Sequence, residues 1–228
     1  MAMSMSKNEH NWFGLISTYT TRLGQYFDVY GGIDLRYYKG KHYNELVDLY
    51  GGEYFIDNSR ANVKYKADDT DWQNEHLQKG DIIFRDYDGF VMQEGFFAQG
   101  EYNRDNLSVF MAGSLSNSTY WREDRFYYSK ADAKSSKESF LGFTLKGGAN
   151  YNLTEKHNVF ANIGYFSRPP HMQGGVFLQN DVSNVVNPDA MNEKVFSMEL
   201  GYGFRASWLS ANVNLYRTAW MDKAVKVG

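Results

Sequence analysis

Two ribbons with sharply different faces constrain this chain more than any other feature. In VFSMELGYGFRASWLSANVNLYRT, residues 195–218, Phe196, Met198, Leu200, Tyr202 and Phe204 alternate with Ser197, Glu199, Gly201, Gly203 and Arg205. After a short break, Leu209, Ala211, Val213 and Leu215 alternate with Ser210, Asn212, Asn214 and Tyr216. A period of two places the two sets on opposite faces of a β-strand. The same pattern recurs at 26–38, 91–102, 106–117, 140–151 and 158–166, with a less polarised strand at 12–22. The reading is an antiparallel meander of about eight strands, most of about ten residues or more, where globular strands usually run to about five or six.

The connections alternate as regularly as the residues. Leu23-Gly24-Gln25, Asn103-Arg104-Asp105, Asn152 to His157 and Ala206-Ser207 are short and rich in turn formers. The links between them, near 39–90, 118–139 and 167–194, are long and polar. Tight turns on one rim and long loops on the other are the habit of outer-membrane barrels. A tilted strand of about 9–11 residues crosses the hydrocarbon layer. Its sheet must close on itself, because no water there satisfies an open edge. The lipid-facing side must then be apolar and the lumen side can be polar. Trp12, Tyr38, Tyr102, Tyr151, Trp208 and Trp220, near strand ends, suit the aromatic girdles of such a barrel. Alternation alone leaves two other readings open: a soluble all-β binding or adhesion module whose oily faces meet in a core, and a small complete outer-membrane barrel.

Composition removes several functions. A formal net charge of -3 gives no basic footprint for nucleic acid. The absence of cysteine removes thiolate nucleophiles, disulfides and cysteine-based zinc sites. No P-loop, nucleophile elbow or distinguished acid pair is present, so the chain reads as neither an enzyme nor a cofactor protein. The acid-rich segments Asp68–Trp72 and Arg85–Gly89 lack full calcium-loop spacing, and no metal site is expected.

Three segments carry a family resemblance: YGGIDLRYYKGKHYNELVDLYGGEYFID (30–57), NVFANIGYFSRPP (158–170) and NPDAMNEKVFSMELGYGFRASWLSANVNLYRTAW (187–220). They resemble the barrel of TonB-dependent outer-membrane receptors, particularly the large Bacteroidetes type. The most specific is the last, where Asn187-Pro188 and Glu193 lead into the Glu199-Leu200-Gly201-Tyr202 strand. The resemblance implies a barrel of about 22 strands plugged by a separate globular domain. It implies residence in the bacterial outer membrane, contact with lipid, and partnership with the plug and TonB. External loops would capture a scarce nutrient (siderophore, haem, cobalamin, glycan or peptide) for energy-coupled uptake. The start, MAMSMSKNEHNW, is no signal peptide, and the end, MDKAVKVG, lacks a terminal aromatic strand. The whole of 1–228 is therefore expected to be one partial barrel domain, with plug and remaining strands absent.

Candidate site residues follow from placement. His42 and His171 fall in long external connections, and Arg168 stands before Pro169-Pro170, which would stop strand pairing. By their position in that family, the resemblance implies that these three are ligand-facing. Asp34, Arg36, Lys146, Glu199 and Arg205 lie on the polar set of their strands and are expected to face the lumen.

Overall fold

Each strand of the chain pairs with the next, so eight consecutive antiparallel strands form one sheet in the order β1 to β8. The computed structural model describes residues 2–64, 66, 68–179 and 182–223. The strands are β1 Met3–Leu23, β2 Phe27–Asp48, β3 Ile82–Arg104, β4 Leu107–Asp124, β5 Glu138–Asn152, β6 His157–Arg168, β7 Glu193–Arg205 and β8 Ser210–Met221. Every expected strand is present, and the short turns sit where the turn formers stand. Gly24 and Asp105 adopt positive φ, at 67° and 50°, in the first two tight turns. Residues 224–228, most of the tail noted above, lie outside the described residues.

Register fixes which side chains share a face. Leu15, Leu35, Leu115, Phe143, Tyr165, Phe196 and Ala219 lie on one face, as do Tyr102, Val109, Ala149, Ala161, Leu200 and Leu215. Leu200 is 58% and Leu215 70% exposed, and no second layer covers this face among the described residues. A soluble module would bury it, so that reading fails. The small complete barrel fails too, because β1 and β8 are the two edges of the sheet and pair only with β2 and β7.

The strands outrun the expected limits. β2 continues to Asp48 and β3 begins at Ile82, so the first long connection spans 49–81 rather than 39–90. The second spans 125–137 and the third 169–192. In the extensions the alternation changes its meaning. The face that is apolar lower down now carries Lys7, Glu9, Lys41, Tyr43 and Glu45, cross-linked by Lys7–Glu45 at 2.5 Å and Tyr43–Glu9 at 2.9 Å. The opposite face, polar lower down, now carries Leu46 and Ile83, which are buried with Leu77 beneath the first loop. An apolar face turned to lipid below and a charged face turned to water above place the upper membrane boundary of β2 near Tyr37–Lys39. The apolar run from Phe27 to Tyr37 spans the length that a tilted membrane strand needs, about 9–11 residues.

The aromatic girdle needs one correction. Tyr102 and Tyr151 do lie on the apolar face, but Trp12, Tyr38 and Trp220 share the face of Arg36, Tyr38's own neighbour but one, and of Val195. A ring at a strand end has the amphipathic chemistry for either face, and only the register decides. On the apolar side the upper ring cluster is Tyr37, Phe90 and Trp121, with Phe90 and Trp121 stacked at 5.2 Å.

Candidate functional site

Proline builds the first part of the site. β6 ends at Arg168, directly before Pro169-Pro170, and the chain then folds back over the polar face. Tight backbone bonds hold this return: Val176 donates to the His171 carbonyl (2.8 Å), Phe177 to Met172 (3.0 Å) and Asn187 to Val176 (2.9 Å). Val176 and Phe177 are fully buried. The second long connection is joined to it through Asp124, whose carboxylate accepts from the Phe126 and Tyr127 amides (2.9 Å each) and the Ser183 hydroxyl (2.7 Å). Met172 then rests on the sheet at Gly89, where a Cβ would lie 2.9 Å from its sulfur.

Under this return lies a cavity of about 710 Å³ whose wall includes His42, Arg168 and His171. All three expected ligand-facing residues thus meet in one place. Their local settings differ from expectation in two respects. His42 is not in a loop but inside β2, opposite Asn8 and Tyr87, because the strand continues past the last readable alternation. Arg168 forms an ion pair with Glu193 across the last β6–β7 pair, so its charge is already engaged.

An aromatic ladder crosses the wall. Trp12 and Tyr38 have ring centroids 4.6 Å apart, His10 and His42 5.5 Å, and His42 stacks on Tyr87 at 4.8 Å. His10 and Tyr38 share a hydrogen bond of 2.7 Å, and His42 Nδ1 donates to Asn8 Oδ1 at 2.6 Å. Burial pushes the His42 imidazole below its ordinary pKa, and His10, Arg85 and Arg122 push it the same way. At neutral pH it is uncharged. Beyond Tyr87 comes Arg122, its guanidinium carbon 4.0 Å from the ring centroid.

Arg122, Arg85 and Tyr87 were not legible as site residues. Arg122 continues the inward set Ser114, Ser116, Ser118, Tyr120 of β4, but it stands beyond residue 117, where the readable alternation ends. Continuing by twos for six residues beyond Ser116 reaches it.

The polar residues expected at the lumen share one face, and Asp34, Arg36 and Glu199 have side-chain partners on it. Arg36 grips Asp34 through Nε (2.9 Å) and Nη2 (2.7 Å). Glu199 accepts from Asn162 at 3.1 Å. Lys146 lines a separate cavity of about 580 Å³ with Gln99, Glu101 and Asn162. Arg205 lines another near the tight turns, of about 510 Å³. The acid-rich segment Arg85–Gly89 is neutralised by protein groups: Arg125 bonds Asp86 at 2.6 and 3.0 Å and Asp88 at 3.0 Å, and Lys39 bonds Asp88 at 3.1 Å. Those contacts raise the Arg125 pKa further and lower that of Asp88.

A sheet with a lipid-facing apolar band, a polar opposite face and a cavity under its long loops defines a section of a membrane-spanning β-barrel. The model of the TonB dependent receptor-like β-barrel matches residues 4–225, and the chain belongs to that family. It is a family of outer-membrane transporters and receptors rather than enzymes. Among solved structures, the crystal structure of ferric citrate transporter FecA in the unliganded form is similar over 96% of this chain, with a TM-score of 0.61 and 13% identity. The chain spans 29% of the length of that structure, and the likeness is one of fold. A comparison with curated protein sequences gives no match.

Proposed function

We infer that this chain is a wall section of an outer-membrane receptor that takes up a scarce nutrient with energy supplied through TonB. Its single partial barrel domain works with a plug domain, the remaining strands and the surrounding lipid, and the connections 49–81, 125–137 and 169–192 face outward. The observation that carries this reading is the meeting of His42, Arg168 and His171 in one cavity, at the long-loop end of the polar face. A solute entering from outside would meet this wall first. Asp34, Arg36, Lys146, Glu199 and Arg205, spread down the same face, would contact the plug or the water around it.

Uptake assays test the reading. Cells lacking the receptor and cells lacking TonB are compared for accumulation of iron chelates, haem, cobalamin and oligosaccharides. The expected outcome is one substrate class lost in both strains. Normal uptake of every class in the receptor-deleted strain refutes the proposal.

A further inference from the structure

Arg122 is 1% exposed, and its Nε and Nη1 have no hydrogen-bond partner. Its Nη2 faces Asp124 at 3.7 Å, too long for a strong bond, and Asp124 is already held by two amides and a hydroxyl. An unsatisfied buried guanidinium is a costly feature in any fold. Arg85 repeats the observation, since its Nε is also buried without a partner while Nη2 bonds Ser6. Arg122 lines the same cavity as His42 and Tyr87. The stacked rings of His42 and Tyr87 and the ring of Tyr38 line it as well. Among the described residues the carboxylate that faces Arg122 is the saturated Asp124, and a cation with free forked donors beside a flat π surface is matched to one kind of partner.

We propose that this wall binds an oxyanion, carboxylate or phosphate, carried on a planar ring: the anion takes the free donors of Arg122, and the ring packs against the aromatic side chains of Tyr38, His42 and Tyr87 that line the same cavity. Met172, an unbranched and adaptable side chain, rests on Gly89, the register neighbour of Arg122, and moves aside to admit the anion. The inference rests on the upper polar face being ligand-facing, and it adds the chemical class that this face selects.

The test uses the receptor that carries this barrel section, purified in detergent. Benzoate, phenyl phosphate, benzamide and acetate are titrated calorimetrically. Saturable millimolar binding of benzoate or phenyl phosphate is expected, with benzamide (ring without charge) and acetate (charge without ring) at least about tenfold weaker. The stronger of the two aryl anions identifies the oxyanion. Arg122→Met abolishes the binding. Arg122→Lys, which keeps the charge and loses the fork, weakens it about tenfold or more and carries the test if the first variant does not fold. Absence of binding by both aryl anions, equal binding of benzamide, or undiminished binding by Arg122→Lys overturns the proposal. Because the titration needs no transport, TonB-dependent uptake that persists after such a failure would leave the import reading intact and remove the anion class alone.

Discussion

Replacing Leu200 by arginine asks directly which solvent bathes the apolar face. Leu200 is the centre of the outward series Phe196, Met198, Leu200, Tyr202, Phe204, with Ala161 and Leu215 beside it in register. It is 58% exposed, so little protein packing is lost when it is removed. In water, an arginine at such a site would change stability by about 0.5 kcal/mol or less. At the middle of a bilayer the same residue costs about 2–4 kcal/mol. At roughly 1.4 kcal/mol per factor of ten, that is about a 30- to 700-fold shift toward the unfolded state. Ser197→Arg, three residues away on the polar face, is the control and should cost less than about 1 kcal/mol. The assay is denaturant unfolding of the receptor in lipid vesicles, followed by tryptophan fluorescence, with the midpoint and slope fitted separately. If Leu200→Arg and Ser197→Arg unfold within about 0.5 kcal/mol of one another, the two faces see the same solvent and the membrane assignment is wrong.

Two further outcomes are expected. Asp57 is fully buried, and its carboxylate accepts from the Ser59 amide (3.0 Å), the Ser59 hydroxyl (2.6 Å) and the Phe84 amide (2.7 Å), which ties the first loop to an irregular turn in β3 where Phe84 has φ 65°. Asp57→Ala should cost the loop about 2–4 kcal/mol by leaving buried donors unmatched, seen as faster proteolysis within 49–81; unchanged cleavage would mean the loop is held elsewhere. His42 should titrate below the usual value of about 6.5 in a histidine NMR experiment. Since its folded pKa is lowered, its contribution to stability is complete above about pH 6.5 and is lost as pH falls through the lowered value. That acid-side loss should vanish in His42→Gln, and a His42 that titrates at or above 6.5 would contradict the buried, cation-flanked setting.

What could be read from the sequence depended on whether burial and periodicity agreed. In the membrane band they do, since lipid forces every second residue of Phe196–Phe204 or Leu209–Leu215 to be apolar and the strand shows itself. Tight turns were legible for a similar reason: Gly24 is placed where a positive φ is needed. Above the membrane the two signals part. Lys39, Lys41 and Tyr43 face water, while Tyr38 and His42 face rings and loops, so both sets look polar or aromatic and the strand reads as loop. His42 therefore reads as part of a connection, and Arg122, two residues below its level on β4, reads as part of the next. The gathering of Arg168 and His171 with His42 is a long-range consequence of the third connection folding back, and no local pattern encodes it.

The inversion of face polarity along β2 and β3 joins the fold to its use. Below Tyr37 the sheet hides backbone in a ladder and offers oil to lipid; the polar face is free to carry ion pairs such as Asp34–Arg36. Above Lys39 the outer face holds charge against charge, Lys7 to Glu45 and Lys39 to Asp88. Apolar surface has moved inward, where Leu46 and Ile83 seat the first loop and Tyr87 seats Arg122. A sheet that only crossed a membrane would have no reason to continue for some ten residues as paired strand beyond it. The extension is what carries rings and guanidinium groups to the underside of the loops, on a rigid ladder rather than on the loops themselves. Placing a binding wall on paired strands restricts its side chains to a few rotamers and lowers the ordering cost of capture. The loops then need only cover the wall, as Met172 covers Gly89.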